Sequence, residues 1–313
     1  MQLVKKVQLI AVFSSLFLFL NHTNAIAQAS IEGRWDITVN AENGRQAPSW
    51  LEIRHSGVNG YVGRFVADGG SARPISKVEY KEGKMSFHIP AQWERTDKEL
   101  VIEGILKADQ LIGTMTATNG KVYTWVGERA PKLWRDKAPK WGKPIHLFNG
   151  KNLTGWEALG DNQWVVENGV LKSPKSGSNI RSVQTFNDFK LHIEFRYPKG
   201  SNSGVYLRGR YEIQIEDNKG KEPQSTYLGG IYGFIDPLEM VAKDAGEWQS
   251  YDVTLIGRIV TLVANGKTII YKNEIPGITG GALDSKEGNP GPIMMQGDHG
   301  PIEFRNIIIT PAL

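Results

Sequence analysis

From residue 28 onward, no apolar stretch of ordinary length repeats at the helical period, and this restricts what the chain can fold into. Short alternating runs bounded by Gly, Asn, Asp and Pro take its place, and the chain carries 35 glycines. That pattern predicts an all-β protein. The first half offers eight candidate strands, near residues 35–39, 50–55, 61–66, 72–80, 84–89, 100–106, 111–117 and 122–126. Tight turns such as Val58-Asn59-Gly60, Lys81-Glu82-Gly83 and Thr118-Asn119-Gly120 separate several of them. Consecutive strands with such turns predict an up-and-down meander closing into a small barrel.

The first predicted strand opens with Gly33-Arg34-Trp35, which resembles the G-x-W of lipocalin-type barrels. A Pro-, Lys- and Trp-rich stretch then breaks the periodicity, so residues 131–144 are expected to link an accessory barrel, 28–130, to a second domain, 145–313. Nine strands are expected there, near 164–171, 189–197, 204–208, 211–216, 249–256, 259–264, 267–271, 293–296 and 302–309. Asn265-Gly266 between two of them predicts a type I′ hairpin. Nine strands in a domain of this size require two packed sheets, a β-sandwich.

Residues 1–27 have the layout of a cleaved signal peptide. Lys5 and Lys6 precede an apolar run from Val7 to Leu20, and Ala25-Ile26-Ala27 offers a small-residue cleavage site. The run is short of the ~20 residues needed to span a bilayer, so export to the periplasm or medium without a membrane anchor is expected. The chain has no cysteine, which excludes disulfides and a lipid-modified cysteine. Losing Lys5 and Lys6 lowers the formal charge by two, from +4 to +2. That balance gives no reason to expect a nucleic-acid partner.

Alternation exposes candidate polar faces. On residues 189–197, His192, Glu194 and Arg196 share one side. On residues 211–216, Glu212, Gln214 and Glu216 do, and Tyr206 and Arg208 share a side of the strand between. One reading is the solvated outer face that a sandwich must present. The other is a concave sheet binding a polyhydroxylated ligand, because paired acid, Arg, Gln and Tyr side chains would converge there. A two-carboxylate glycosidase fits poorly on one strand. Glu212 and Glu216 would stand roughly 13 Å apart at ~3.3 Å per residue, against about 5–5.5 Å for retention or about 6.5–9.5 Å for inversion. Only a cross-strand pair such as Glu194 with Glu212 would serve. Gln296-Gly297-Asp298-His299-Gly300 puts an imidazole in a loop, where a lone His is commonly a surface residue. Metal ligation by His299, Asp298 and Glu212 is conceivable, but no metal-binding motif supports it.

Ordered blocks then carry a specific resemblance. They begin with Leu147-Phe148-Asn149-Gly150-Lys151-Asn152-Leu153-Thr154-Gly155-Trp156 and continue through Asp188-Phe189-Lys190-Leu191, Glu194-Phe195-Arg196 and Asn202-Ser203-Gly204-Val205-Tyr206-Leu207-Arg208. Tyr211-Glu212-Ile213-Gln214-Ile215 with Asp217, Gly246-Glu247-Trp248, and Asp298-His299-Gly300 through Phe304-Arg305-Asn306-Ile307 complete the series. The second domain thus resembles the 3-keto-disaccharide hydrolase family. It departs at Gln249, where the family often has Asn, and at the inserted Gly297.

The resemblance implies a concanavalin-like jelly roll acting on glycosides or oligosaccharides already oxidised at carbon 3 by a partner sugar 3-dehydrogenase. A 3-keto group acidifies the proton on carbon 2, so elimination followed by hydration needs a base, an enolate stabiliser and a leaving-group donor. On that basis Glu212 or His299 is expected as base, Arg196 and Arg208 as ketone or enolate clamps, and Glu194 as an orienting or donating partner. Asn202, Ser203, Gln214, Asp217, Tyr232 and Gln296 would hold sugar hydroxyls. No cofactor is expected, with a bound divalent metal left open. A lectin-like carbohydrate-binding module and an ordinary two-carboxylate glycosidase are the alternatives.

Overall fold

The structure is a computed structural model that describes residues 30–313 apart from Trp93. The expected signal segment, residues 1–27, lies outside the described residues. Among the described residues no helix is long and apolar enough to cross a membrane.

The first half forms nine strands, β1 (Gly33–Asn40), β2 (Gln46–Ser56), β3 (Gly60–Val66), β4 (Arg73–Ile75), β5 (Glu79–Lys81), β6 (Lys84–Ile89), β7 (Leu100–Lys107), β8 (Gln110–Thr116) and β9 (Val122–Arg129). They make one antiparallel sheet in the order β4-β3-β2-β1-β9-β8-β7-β6-β5. The eight expected segments are all present, with 72–80 divided into β4 and β5. Closure of this meander would need a β4–β5 ladder, which is absent among the described strands. The Val78 N–H instead donates to Tyr61 O (2.8 Å), and the Tyr61 and Tyr80 rings meet edge to face. The sheet is thus curled, and the closed small barrel of the sequence reading is not shown by a ladder at this seam. Trp35, Phe65, Phe87 and Trp125 fill its interior. Gly113 permits this, because a Cβ there would lie 2.7 Å from the Trp125 ring.

The second half contains β10 (Ile145–His146), β11 (Trp156–Ala158), β12 (Val165–Glu167), β13 (Val170–Ser173), β14 (Ile180–Phe186), β15 (Phe189–Arg196), β16 (Asn202–Leu207) and β17 (Tyr211–Glu216). It continues with β18 (Gln249–Ile256), β19 (Ile259–Ala264), β20 (Lys267–Glu274), β21 (Gly291–Met295) and β22 (Ile302–Pro311). One sheet runs β12-β13-β22-β15-β18-β19-β20, with β10 on β22, and the other runs β11-β14-β21-β16-β17. The two pack as an antiparallel jelly-roll-like sandwich. Leu191, Ile193 and Phe195 of β15 face Val205, Leu207, Ile213 and Ile215 of β16 and β17 in its core. Each such side chain contributes about 1.5–3 kcal/mol when fully buried. Asn265 (φ 50°) and Gly266 (φ 81°) form the hairpin expected between β19 and β20.

The two halves share packing. Trp50 of β2 and Val66 of β3 belong to the core of the second half, and Trp50 meets Phe234 edge to face at 5.3 Å. Gly277 is required there, since a Cβ would fall 2.1 Å from Trp50 Nε1. The stretch expected as an exposed linker is tied down. Arg135 forms a two-pronged contact with Asp188 (2.7 and 3.2 Å), and Lys190 lies over the Trp141 ring.

Candidate active site

β17 is the end strand of the five-stranded sheet, and the loop 225–235 folds over its free edge. Gln214 N–H donates to Gly230 O (3.0 Å), Gly229 N–H to Gln214 O (2.9 Å), and Tyr232 N–H to Glu212 O (3.0 Å). The polar side of β17 is thereby enclosed instead of facing bulk water. Across the ladder Tyr206 stands opposite Glu212, and Gly204 opposite Gln214. Only glycine fits at 204, because a Cβ would lie 2.2 Å from Glu212 Oε1.

The result is a cleft of about 270 Å³, room for one sugar ring. Tyr206, Glu212, Gln214 and Gln296 form its floor. Asn179, Asn202, Tyr232, Asp298 and His299 line its sides, with Gly280 and Gly281. Asp68, Gly69 and Gly70 of the N-terminal sheet close one wall, and the Gly281 N–H donates to Asp68 O (2.8 Å). The N-terminal unit, expected to stand apart from the site, thus supplies part of it.

Glu212 is 3% exposed, and burial raises its carboxyl to about 8 although Tyr206 and His299 pull the other way. The Tyr206 hydroxyl is 2.9 Å from Glu212 Oε2 and donates to Gly280 O at 3.0 Å. Its own pKa is pushed far up by burial and by the neighbouring carboxyl. His299 is half-exposed, with Nδ1 2.7 Å from Asp298 Oδ1. That hydrogen bond raises its pKa against partial burial, and Glu212 adds to the effect. Gln214 Oε1 and Gln296 Oε1 are buried without a hydrogen-bond partner. Among the described residues that line the cleft, none is Arg or Lys, so His299 is the cationic group it offers. No group of three or more His, Cys, Asp or Glu among the described residues is placed to hold a metal ion.

Six of the expected residues therefore meet: Glu212, His299, Asn202, Gln214, Tyr232 and Gln296. Ser203 lies beneath them, donating its hydroxyl to Gln296 O at 2.8 Å, and Asp217 accepts the Gly200 N–H at 2.9 Å at the strand end. The expected convergence of Glu194, Arg196 and Arg208 with Glu212 does not occur. β15 belongs to the opposite sheet, and its polar side is the solvent-facing one. There Glu194 accepts from Arg305 (2.6 Å) and Asn306 (2.7 Å), while Arg196 pairs with Glu303 and lies over Trp248. The Glu194–Glu212 pair is not assembled for the same reason.

Arg208 misses the cleft because β16 ends at Leu207. The turn puts Arg208 at φ 52°, breaking the alternation that would align it with Tyr206. Its guanidinium is buried, donating to Tyr211 Oη at 2.7 Å and Gly257 O at 3.3 Å. The sequence placed Tyr206 on a candidate polar face without assigning it a role, and it missed Asn179 and the Asp68-Gly69-Gly70 wall as cleft residues. The wall had no signal, since it depends on how the two halves pack.

The fold and this enclosed polar cleft define an all-β protein whose second half is a two-sheet sandwich carrying a site the size of one sugar ring. Residues 143–310 match the model of the 3-keto-alpha-glucoside-1,2-lyase-like domain. The chain belongs to that family. It is 28% identical over 166 residues to a 3-keto-disaccharide hydrolase of Bacteroides thetaiotaomicron, covering 40% of this chain and 57% of that protein. The chain thus spans little more than half the length of that curated relative. A candidate glycosyl hydrolase of known structure from Parabacteroides distasonis is 29% identical, with a TM-score of 0.46, over 57% of this chain and 94% of that one. A second from the same organism is 26% identical, with a TM-score of 0.44, over 55% and 100%.

Proposed function

We propose that the chain cleaves the glycosidic bond of 3-keto-glycosides, by elimination and then hydration, in the cleft around Glu212. Family membership supports the substrate class. The observation that carries the chemistry is a buried carboxyl near His299, raised to about 8 and so protonated at neutral pH. A protonated carboxyl is a donor, not a base. His299, held through Nδ1 by Asp298, takes the proton from carbon 2, and the C–H electrons form the enolate of the 3-ketone. Tyr232 and the imidazolium that results face the enolate oxygen. Collapse of the enolate expels the oxygen on carbon 1, which takes its proton from Glu212. Water then adds at carbon 1 and a proton returns to carbon 2, so the net change is hydrolysis. Gln214, Gln296 and Asn202 orient the ring through its hydroxyls. A sugar 3-dehydrogenase acting beforehand supplies the ketone, and the N-terminal segment supports export of the protein to where such glycosides are met. The test is release of sugar from a 3-keto-disaccharide beside its unoxidised parent. Turnover of the oxidised substrate alone is expected. Equal turnover of the parent overturns the reading, and binding without turnover of either favours a carbohydrate-binding module.

A further inference from the structure

Tyr232 reaches the cleft from a loop whose course depends on what it packs against. Residues 225–235 form turns, and only Ile231 and Ile235 make isolated bridges, Ile231 to Ile213 and Ile235 to Ile231. Ile231 anchors the loop in the core of the sandwich. Past Tyr232 the next two residues meet the N-terminal sheet instead. Gly233 (φ 72°) lies against residues 71 and 72 so closely that a Cβ would fall 2.7 Å from Ala72 N and 2.8 Å from Ser71 Cβ. Phe234 meets the Trp50 ring edge to face at 5.3 Å, and the Arg64 guanidinium lies 5.4 Å from the Phe234 ring centre. Trp50 and Glu52 of β2 share a face with Arg64 and Val66 of β3, since Trp50 stands opposite Val66 and Glu52 opposite Arg64. Glu52 accepts from Arg64 Nε (3.0 Å) and Nη2 (2.6 Å), which holds the guanidinium in place.

We infer that Phe234 is a positioning residue: gripped by Trp50 and Arg64 of the N-terminal sheet, it fixes where the Tyr232 hydroxyl stands in the cleft. This rests on the reading of Tyr232 as a donor facing the enolate oxygen. Burial and the carboxyls of Glu212 and Glu216 raise the Tyr232 pKa, so the hydroxyl keeps its proton. A donor aimed at developing charge works only from the right place, and a misplacement of about 1 Å can cost about 10²-fold in rate. The Phe234 ring is held by an aromatic ring edge to face and by a cation, both of which attract it directionally. The N-terminal sheet thereby acts on turnover through Tyr232, beyond the wall it supplies at residues 68–70.

The experiment uses the full chain and the 3-keto derivative of methyl glucoside. Phe234→Ala should lower kcat at least tenfold with KM within about twofold of the parent, the signature of a contact made only in the transition state. Phe234→Tyr, which keeps the ring, should stay within about threefold of the parent. Tyr232→Phe should lower kcat at least as much as Phe234→Ala. In that background Phe234→Ala should cost less than about a further twofold, because its effect passes through the missing hydroxyl. Arg64→Met is a milder change, since Glu52 keeps Arg34 and Arg54 as partners. It should lower kcat about threefold or more and lose that effect in the Tyr232→Phe background, so it carries the comparison if Phe234→Ala does not fold. Losses that multiply, or a kcat unchanged by these substitutions, overturn the inference. If the parent does not turn the substrate over, the functional reading fails, and amide hydrogen exchange decides about the loop. Exchange at the Tyr232 N–H at least tenfold faster in Phe234→Ala or Arg64→Met, with β18 and β19 unchanged, supports the positioning. Equal exchange in the loop, or acceleration throughout the chain, overturns it.

Discussion

The hydroxyl of Tyr206 lies 2.9 Å from Glu212 Oε2 and 3.0 Å from the carbonyl of Gly280, yet it has one proton for two acceptors. The conflict disappears when Glu212 holds its own proton. Glu212 then donates to Tyr206, and Tyr206 donates to Gly280. When the carboxyl ionises, Tyr206 must turn to it, and the buried carbonyl loses its donor. Burial and this proton count both favour the acid form.

Glu212 should make stability fall with rising pH. Its pKa is raised in the folded state, to about 8, from the ordinary value of 4.5. Between those values the folded chain holds a proton that the unfolded chain has released. Stability from this group is complete below about pH 4.5 and declines until pH passes about 8. The loss amounts to a few kcal/mol, because each tenfold difference in proton affinity between the two states is worth about 1.36 kcal/mol. Glu212→Gln should flatten this decline, so its Tm relative to the parent should improve steadily from pH 5 to pH 8. A constant Tm difference across that range would show that the carboxyl is ionised throughout.

The pH–rate profile should be bell-shaped and narrow. His299 must be neutral to act as base, and its pKa is raised by the hydrogen bond to Asp298. Glu212 must be protonated to act as donor, so kcat/KM should fall above about pH 8. Asp298→Asn should move the acid limb to lower pH, since His299 loses the charge that raises it. A rate that climbs through pH 8 without falling would make Glu212 the base.

Arg208→Ala should lower stability and leave the active fraction's turnover close to the parent value. Arg208 sits beside Tyr211, whose hydroxyl donates to Glu287 (2.8 Å), and Glu287 pairs with Arg258. Truncating a residue of such a buried network typically costs about 3–5 kcal/mol. Glu194→Gln, on the solvent face of the other sheet, should alter neither property by more than about 1 kcal/mol. A hundredfold loss of kcat in either variant, with the fold intact, would return that residue to the reaction.

Removing the N-terminal unit should unfold or aggregate the remainder. A chain beginning near Trp141 would expose the surface that packs on Trp50 and Val66, and would lose the Asp68-Gly69-Gly70 wall. Far-UV circular dichroism and gel filtration of that fragment provide the check. A soluble, folded and fully active fragment would restore the accessory role that the sequence suggested.

Strand parity in the second half was legible wherever alternation was strong. The segments that became β15, β17, β18 and β19 lie where alternation placed them, and Asn265-Gly266 marked its own turn. β14 was missed because Val183, Gln184 and Thr185 are three successive exposed residues, with no period to detect. Glu212 and Gln214 were identifiable because they share a strand face, and the family blocks supplied Asn202 and His299. Parity could not say which of two polar faces is covered, since the loop 225–235 and the Asp68 wall arrive from distant sequence. Nor could it foresee the positive φ at Arg208, which turns that side chain into the interior.

The most direct test of the account is the fate of the hydrogen on carbon 2 when a 3-keto-glycoside is cleaved in heavy water. The released 3-keto sugar, read by NMR against a control for non-enzymatic exchange, should carry deuterium at carbon 2. His299→Asn should abolish both cleavage and label uptake. Glu212→Gln should abolish cleavage while uptake into the unbroken substrate continues. Full retention of the original hydrogen in the enzymatic product would contradict elimination and leave direct displacement at carbon 1.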